Sequence, residues 1–307
     1  MKRKTISIVI VTYNAEKTIF TLLSKIDFSK YKVFIIDSSS IDNTLKICKN
    51  FNCIIKTIDK SEFNHGATRE LGRRLSNSDI VVHLTQDAIP KNLETIDTLI
   101  KPLINEEVSI AYARQIPRDD ANLIESLLRE YNYPSQSQIR SIGDKYTYGV
   151  YTFFCSDSCA AWSNKALDSI GGIKPTLTNE DYFSCAKLLI KGHKIAYVSD
   201  AEVIHSHKYS LKEEFQRMFD TGYVRAKNPW IQDAVGKAGK RGRQYLIFIL
   251  RKIWVQQPTL IPYAIIQTIV KYLGYSVGYH SKYLSPMFFK YFSSQKYYWD
   301  SKYYEGK

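Results

Sequence analysis

Three short polar clusters follow apolar runs in the first third of the chain, and their side chains are of types that could do chemistry. The clusters are Thr12-Tyr13-Asn14, Asp37-Ser38-Ser39 and Gln86-Asp87. A carboxylate such as Asp37 can accept a hydrogen bond from the N3–H of uracil or thymine, which suits a pyrimidine nucleotide, but it can also cap the turn that follows. Thr12 and Tyr13 would line the same base pocket, although Tyr13 could instead pack in the core.

Two further stretches carry residues suited to phosphate binding or proton transfer. His65 and Arg69 lie in a glycine-containing loop that enters a predicted helix, where the helix N-terminus and a bidentate guanidinium would favour phosphate. The alternative is an arginine on the helix surface. Glu180-Asp181 opens another predicted helix, a position that carboxylates also occupy simply because the helix dipole favours them.

The elements that must position these residues alternate between strand and helix. β-Branched runs at residues 6–11, 32–37, 53–58 and 79–84 predict four strands. Helices are predicted after Asn14 as the N-cap, over residues 44–49 and 66–75, and from Pro90 onward. Strands separated by single helices indicate a parallel sheet, in which ligands bind beyond the carboxyl ends of the strands. The three polar clusters should therefore converge on one crevice.

The pattern is looser after a fifth predicted strand at residues 111–115. Residues 130–148 are polar and predict a long loop, after which Ser163 caps a short helix. A helix over residues 180–191, a strand over 194–198 and a helix that begins with the capping box Ser210/Glu213 complete the predicted elements. The five cysteines lack the paired spacing of a zinc site and are expected to be reduced thiols.

Six motifs, in order, carry a resemblance to a known family. They are SIVIVTYNAEKTI, IIDSSSIDNT, FNHGATRELG, LTQDAIP, NEDYF and VIHSHKYSLKEEFQRMFDTG. They resemble the motifs of the inverting family 2 glycosyltransferases, and their spelling is similar to that of the bacterial rhamnosyltransferase branch, from residue 5 to about residue 225. The resemblance implies the GT-A fold, an α/β fold with a mostly parallel central sheet flanked by helices. It implies a catalytic domain at residues 1–208, with a nucleotide-sugar half (1–115) and an acceptor half (116–208), followed by a basic, aromatic helical region at 209–307.

The resemblance also implies a donor site at the strand ends. The implied nucleotide-sugar residues are Thr12, Tyr13, Asn14, Asp37, Ser39, His65, Arg69, Gln86 and Asp87. In the family, the position of Asp37 reads the base, and that of Asp87 holds a divalent cation, here Mg²⁺ or Mn²⁺, which bridges the two phosphates. The family usually has another aspartate two residues before Asp87, where this chain has Thr85. A histidine is the expected additional ligand. We expect only one of His205 and His207 to face the crevice, and we favour His205.

On the acceptor side, the resemblance implies an inverting transfer with a single base. Asp181 of the catalytic pair Glu180-Asp181 would take the proton from the acceptor hydroxyl. Trp162 could stack on an acceptor sugar ring, although we favour core packing as its role. The implied reaction moves L-rhamnose, or a related deoxyhexose, from dTDP-L-rhamnose or a similar nucleotide sugar to a lipid-linked glycan. The alternatives are the same chemistry with a UDP-hexose and a non-catalytic sugar-nucleotide-binding protein.

Charge separates the last third of the chain from the rest. The sequence is 44% hydrophobic, which is enough for a buried core, and its formal net charge is +13. From Lys208 to the end it has 17 Lys and Arg against 6 Asp and Glu, so most of the positive excess lies there. A basic, tyrosine-rich region indicates an anionic partner, and it contains no recognised nucleic-acid motif. We therefore expect an anionic membrane surface as the partner, with an ordinary helical subdomain as the alternative.

The segments of this region predict helices that lie on a membrane without crossing it. Residues 245–255 and 261–275 combine apolar residues with cations, and a basic cluster precedes them. These cations are Arg251, Lys252 and Lys271, and the cluster is Lys237, Lys240, Arg241 and Arg243. The most apolar stretch, residues 259–277, contains Pro262 and Lys271 and is not expected to span. The apolar run near the N-terminus is too short for a signal peptide, so the expected location is cytoplasmic and peripheral, on the inner face of the cell membrane.

Overall fold

The first half of the chain folds as the alternation of strand and helix predicts. A computed structural model describes residues 4–236 and 239–304. Its first strands and helices are β1 (Ile6–Thr12), α1 (Ile19–Leu23), β2 (Lys32–Asp37), α2 (Thr44–Cys48), β3 (Cys53–Thr57), α3 (His65–Ser76) and β4 (Ile80–Thr85). The four predicted strands and the predicted α2 and α3 are confirmed to within a residue at either end.

Parallel strands bring the three polar clusters to one edge of the sheet. The order is β3-β2-β1-β4, and β1 pairs in parallel with both β2 and β4. Thr12 lies opposite Asp37 in the β1–β2 register, and Val11 lies opposite Thr85 in the β1–β4 register. Because parallel strands end on the same side of a sheet, the residues that follow them share one crevice, as the sequence predicts.

The second half of the chain extends the same sheet. Its elements are β5 (Ile89–Pro90), α4 (Thr95–Ile104), β6 (Ile110–Ile116), α5 (Leu123–Asn132), β7 (Gln138–Arg140), α6 (Lys145–Tyr148), β8 (Cys159–Ser163), α7 (Asn164–Ser169), α8 (Glu180–Ile190) and β9 (Ile195–Ile204). Strand β8 lies between β4 and β6 and is antiparallel to both, while β9 pairs in parallel with β6. As a result, the residues just before β8 lie beside the carboxyl end of β4, where the Thr85 N–H donates to the Ser158 carbonyl oxygen over 3.1 Å.

Three local predictions are wrong. Asn14 does not cap α1: it has a φ of +48°, and its N–H donates to Ser40 across the crevice over 2.8 Å. Pro90 lies in β5, and α4 begins only at Thr95. Residues 130–148 contain the end of α5, β7 and α6 rather than a long loop. Elements as short as β5 and β7 are held by pairing with β9, and they carry no periodicity that a sequence pattern could reveal.

The sheet is packed on both faces. One buried cluster joins Ile8 and Ile10 of β1 to α1 and α4. The other joins Val9 of β1 to Trp162 of β8, to α8 and to aromatic residues from beyond residue 208, such as Phe219. Both β1 faces are therefore buried, which explains why its sequence is a continuous apolar run rather than an alternating one.

The region after residue 208 is helical, as predicted. Its helices are α9 (Leu211–Lys227), α10 (Trp230–Val235), α11 (Gly239–Gln256), α12 (Ile261–Tyr279) and α13 (Phe289–Phe292). The capping box of Ser210 and Glu213 is confirmed at the start of α9. Helix α12 packs so closely on α9 that a Cβ added at Gly278 would overlap the Phe219 carbonyl group. None of the helices in residues 4–236 and 239–304 has the length and apolar character that crossing a membrane requires. The division of the chain at residue 208 stays a prediction.

Candidate active site

The end of β2 forms a fully hydrogen-bonded turn around Asp37. Asp37 is completely buried, and its Oδ1 accepts hydrogen bonds from the hydroxyls of Thr12 (3.0 Å) and Ser40 (2.6 Å). Its Oδ2 accepts the Ser40 N–H over 2.9 Å, so the turn-capping alternative is confirmed. Ser39 follows with a φ of +60°, and its hydroxyl donates to the Ile58 carbonyl oxygen over 2.8 Å. The role of Asp37 in reading a base stays a prediction.

Tyr13 forms a half-exposed wall of the same crevice, so its core-packing alternative is wrong. The Gln86 side chain holds its backbone from both sides: Gln86 Oε1 accepts the Tyr13 N–H over 2.8 Å, and Gln86 Nε2 donates to the Tyr13 carbonyl oxygen over 3.2 Å. Lys60 lies over the Tyr13 ring at 4.4 Å and donates to its hydroxyl over 2.6 Å. Lys60 was not predicted from the sequence, since an exposed lysine in a loop carries no local signal.

Asp87 lies beside two histidines from the segment that follows β9. His205 Nδ1 is 3.6 Å from Asp87 Oδ1, and His207 Nε2 is 3.5 Å from Asp87 Oδ2. One ligand atom from each of the three residues lies within 4.8 Å of the others, a spacing that fits a single metal ion. The prediction that only one histidine faces the crevice is wrong, because side chains two residues apart on an extended segment point to the same side.

Both imidazoles are suited to bind a cation because they are neutral near pH 7. Burial lowers the pKa of His205 to about 4, although the neighbouring Asp87 opposes this shift. Burial also lowers the pKa of His207, and Arg129, Arg217 and Arg118 add to the effect. A neutral imidazole keeps a lone pair for a metal ion.

Two arginines that no sequence motif predicted lie near this group. The Arg118 guanidinium is 3.8 Å from Asp87 Oδ2. Arg217 of α9 lies 4.5 Å above the Tyr209 ring, which in turn stacks on His207 with ring centroids 5.3 Å apart. Guanidinium groups bind phosphate well, so these side chains could share the charge of a diphosphate with a metal ion.

Asp181 lies in very different surroundings at the start of α8. It is half-buried, and its Oδ2 accepts the backbone N–H of Asp157 over 3.1 Å. Burial, together with the charges of Glu180 and Asp157, raises the pKa of Asp181 to about 7, while Arg69 and the Asp157 backbone N–H oppose the rise. Asp181 is therefore a carboxylate with the proton affinity of a general base that works near neutral pH.

Glu180, the other residue of the predicted catalytic pair, is paired with an arginine. Glu180 is buried, and its carboxylate forms an ion pair with Arg69 of α3. Arg69 Nε is also 3.6 Å from Asp157, so Arg69 joins α3, α8 and the segment before β8. Both predictions for Arg69 are therefore wrong: it is neither on the helix surface nor available to phosphate, because it is buried between two carboxylates.

His65 and Trp162 complete this part of the site. His65 begins α3, is half-buried against Phe63, and has its pKa lowered to about 4 by burial. Trp162 is completely buried in β8, and its indole N–H donates to Asp157 Oδ1 over 2.7 Å. The stacking of Trp162 on a sugar ring is therefore wrong, and the favoured core packing is confirmed.

Asp87 and Asp157 flank one point of the fold. Thr85, two residues before Asp87, is hydrogen-bonded to Ser158, the residue after Asp157. Asp87 of the candidate cation site follows the end of β4, and Asp157, whose N–H donates to the candidate base Asp181, precedes the start of β8. The sequence pattern described as "Glycosyl transferase family 2" matches residues 7–171 of this chain. The chain is a family 2 glycosyltransferase.

Two relatives agree with this membership and with the predicted resemblance. The glycosyltransferase is 36% identical to "O-antigen chain rhamnosyltransferase WbaN" of Salmonella anatum over 301 residues, which is 96% of each chain. It is also 36% identical to "O-antigen chain rhamnosyltransferase RfbN" of Salmonella typhimurium, again over 96% of each chain.

Among solved structures, the glycosyltransferase resembles the mannosyltransferase PcManGT from Pyrobaculum calidifontis in complex with GDP-Man and Mn²⁺. That match has a TM-score of 0.59 at 15% identity and covers 92% of this chain and 88% of that one. S. aureus TarS 1-349 in complex with UDP-GlcNAc matches with a TM-score of 0.53 at 14% identity, over 91% of each chain. These likenesses confirm the GT-A fold.

Proposed function

We propose that this glycosyltransferase transfers L-rhamnose, or a related deoxyhexose, from a dTDP-sugar to a lipid-linked glycan in cell-surface polysaccharide synthesis, with inversion at the anomeric carbon. The observation that carries the reaction type is the half-buried Asp181 with its raised pKa, and the group formed by Asp87, His205 and His207 supports it because it fits a divalent cation. The rhamnosyltransferase names of the two Salmonella relatives support the donor sugar.

In the proposed reaction, Asp181 takes the proton from an acceptor hydroxyl as that oxygen attacks the anomeric carbon. The bond between the sugar and the diphosphate breaks on the opposite face, and the nucleoside diphosphate leaves. Because the pKa of Asp181 is about 7, the carboxylate form that can accept the proton dominates above neutral pH. The rate should therefore rise with pH through about 7.

The leaving diphosphate would be held at the Asp87 end of the site. Asp87, His205 and His207 fit a divalent cation, and one carboxylate with two imidazoles suits Mn²⁺ better than Mg²⁺, which prefers oxygen ligands. A bound cation would neutralise charge that develops on the departing diphosphate. Arg118 lies near enough to Asp87 to add a further positive charge.

A transfer assay with purified protein, Mn²⁺ and a panel of sugar nucleotides tests this proposal. We expect the fastest transfer from dTDP-L-rhamnose to a lipid-linked glycan primer. Faster transfer from a UDP-hexose would keep the chemistry and correct the donor. Absence of transfer from every donor, together with tight nucleotide-sugar binding, would instead favour the non-catalytic binding protein.

We also propose that α11 and α12 hold the enzyme on the inner face of the cell membrane. Large apolar side chains are exposed on one face of each helix; they are Ile247, Trp254 and Val255 of α11, and Ile265, Ile266, Ile269, Tyr272 and Leu273 of α12. We call these residues the C-terminal apolar surface. An exposed apolar patch flanked by cations is typical of a helix that lies at a lipid headgroup boundary. The lipid-linked acceptor of the proposed reaction is found at such a surface.

The structure changes which cations would contact the lipid. Arg241 is turned inward, 3.8 Å above the Tyr151 ring, and Lys271 forms an ion pair with Glu214 over 3.1 Å. Lys252 is paired with Glu130 over 2.6 Å. The exposed cations along α11 are Lys240, Arg243 and Arg251, while Lys237 of the predicted basic cluster lies outside the described residues.

Flotation with liposomes tests this docking. Wild type should float with anionic liposomes and dissociate in molar salt, and the double variant Ile269→Ser/Tyr272→Ser should lose most of its binding. Ile41→Ser/Tyr146→Ser is the matched control, since both residues are exposed but lie outside the C-terminal apolar surface. Failure of wild type to bind anionic liposomes would reject the docking, and binding that resists molar salt and carbonate would indicate insertion.

A further inference from the structure

Asp157 is a buried charged residue that no motif singled out. It lies just before β8, and only 2% of its surface is exposed. An isolated carboxylate at such a place would be strongly destabilised, so the fold must stabilise its charge with donors. Those donors, and the direction of its own backbone N–H, connect it to Asp181.

Three side chains from different elements stabilise the Asp157 carboxylate. The Trp162 indole N–H donates to Oδ1 over 2.7 Å. On the other oxygen, His83 Nδ1 of β4 lies 3.2 Å from Oδ2, and Arg69 Nε lies 3.6 Å from it. Burial alone would raise the pKa of Asp157, but His83, Arg69 and the Trp162 indole together hold it below the usual value. Asp157 is therefore an anion at neutral pH.

The backbone of Asp157 acts on Asp181 directly. Its N–H donates to Asp181 Oδ2 over 3.1 Å, while Asp181 Oδ1 accepts the N–H of Tyr182 over 2.7 Å. Each carboxylate oxygen thus has one fixed donor, which sets the orientation of the group. Lone pairs remain on both oxygens for an acceptor hydroxyl, because a carboxylate offers about four.

The charges that face Asp181 are unbalanced toward the negative. Asp157 and Glu180 face it with a single guanidinium, Arg69, which is already shared between them. The thiols of Cys155 and Cys185 and the Tyr133 phenol also interact with Asp181, and they are neutral at pH 7 because burial raises their pKa values well above neutrality. His65, which interacts with Glu180 and Arg69, is neutral as well, because burial lowers its pKa to about 4. A second negative charge next to a carboxylate makes proton uptake easier.

We propose that Asp157 is a positioning residue for Asp181: its backbone N–H fixes the orientation of the Asp181 carboxylate, and its buried negative charge strengthens that carboxylate as a proton acceptor. The proposal rests on the proposed function, since it takes Asp181 as the base. Trp162, His83 and Arg69 serve the reaction indirectly, because they keep Asp157 charged in a buried place. This assigns Trp162 a part in the site through its indole N–H rather than through stacking.

The pH dependence of kcat tests this proposal, since a merely structural role would not move it in a defined direction. In wild type, kcat should rise through pH 7 with the ionisation of Asp181. Asp157→Asn keeps the shape and the backbone N–H but removes the charge, so the acid limb should move down by about one pH unit. Arg69→Gln removes a cation that opposes the shift, so its acid limb should move up.

Asp168→Asn is the matched control. Asp168 is an exposed carboxylate that pairs with Arg73, another arginine of α3, and it is not among the charges that shift the pKa of Asp181. Its acid limb should coincide with that of wild type. An acid limb that stays at the wild-type pH in folded Asp157→Asn would overturn the proposal.

A measurement on the wild-type protein covers the case in which Asp157→Asn does not fold. Because the Asp157 N–H donates to Asp181, its amide proton signal in NMR should shift with a midpoint near pH 7, and this shift should vanish in Asp181→Asn. An amide signal that does not titrate would overturn the proposal. Full transfer activity in Asp181→Asn would instead reject Asp181 as the base, so the two failures are distinguishable.

Discussion

Asp87 and Asp181 are both aspartates at the carboxyl edge of the sheet, but their neighbours differ in charge and in exposure. Asp87 keeps 22% of its side chain exposed and has two imidazoles and Arg118 within 4 Å. Asp181 lies among two further carboxylates that share one buried arginine. The first surroundings suit a cation and a diphosphate that must enter and leave, and the second suit a group that takes up a proton.

The difference also shows how one residue type can perform two tasks. Imidazoles and guanidinium groups around Asp87 add donors and metal ligands, so charge can be shared with a bound ligand. Burial and like charge around Asp181 raise its pKa to about 7. Substitutions at Asp87 and at Asp181 should therefore affect different steps, nucleotide binding at the first and proton transfer at the second.

The largest effect is expected at Asp181. Asp181→Asn keeps the size of the side chain but removes the base, so kcat should fall by about 10²- to 10⁴-fold. Affinity for dTDP should change little, since the Asp181 carboxylate bonds to the backbone of Asp157 and Tyr182 and not to the groups that would hold the diphosphate. A transfer assay together with calorimetry on dTDP measures both quantities. Equal losses of kcat and dTDP affinity would show that Asp181 also contributes to nucleotide binding, against the separation of roles.

Asp87→Ala, unlike Asp181→Asn, should lower the affinity for dTDP as well as turnover. Loss of this ligand should reduce metal-dependent dTDP binding and turnover by at least about a hundredfold, because a phosphate-bridging cation stabilises the departing charge. EDTA should have the same effect on wild type and little further effect on the variant. Unchanged binding and turnover in Asp87→Ala, with and without EDTA, would contradict the assignment.

The two histidines should contribute together. We expect His205→Ala and His207→Ala each to weaken Mn²⁺-dependent dTDP binding by about tenfold or more, because each imidazole lies within 4 Å of Asp87. His193→Ala is the control, since this imidazole instead contacts the Ser109 hydroxyl at 2.8 Å. If only His205→Ala weakened binding, a single histidine would act as ligand, as the sequence analysis expected.

The smallest effect concerns Asp37 and the choice of base. If Asp37 reads the imide of a pyrimidine, dTDP and UDP should compete with the donor about tenfold better than GDP. Competition binding with the three diphosphates measures this preference. Equal competition by all three would leave Asp37 with the turn-capping role that its bonds to Thr12 and Ser40 already show.

The first four strands and their parallel pairing were predictable because they depend on local patterns. β-Branched runs predict β1 to β4, and a single helix between strands implies parallel pairing, which places Asp37 and Asp87 at one edge. A metal ligand was predicted from His205 or His207. The expectation that only one of them faces the crevice was wrong, because alternate residues of an extended chain lie on the same side.

The surroundings of those residues were decided only by the tertiary structure. Arg69 and Glu180 are 111 residues apart in the chain, yet they form a buried ion pair that also reaches Asp157. Trp162 became a buried donor because β8 inserts between β4 and β6. A sequence determines which residues follow a strand, since that needs only neighbours along the chain. It does not reveal which charges are buried together, because pairing and desolvation depend on distances through space that no local pattern records.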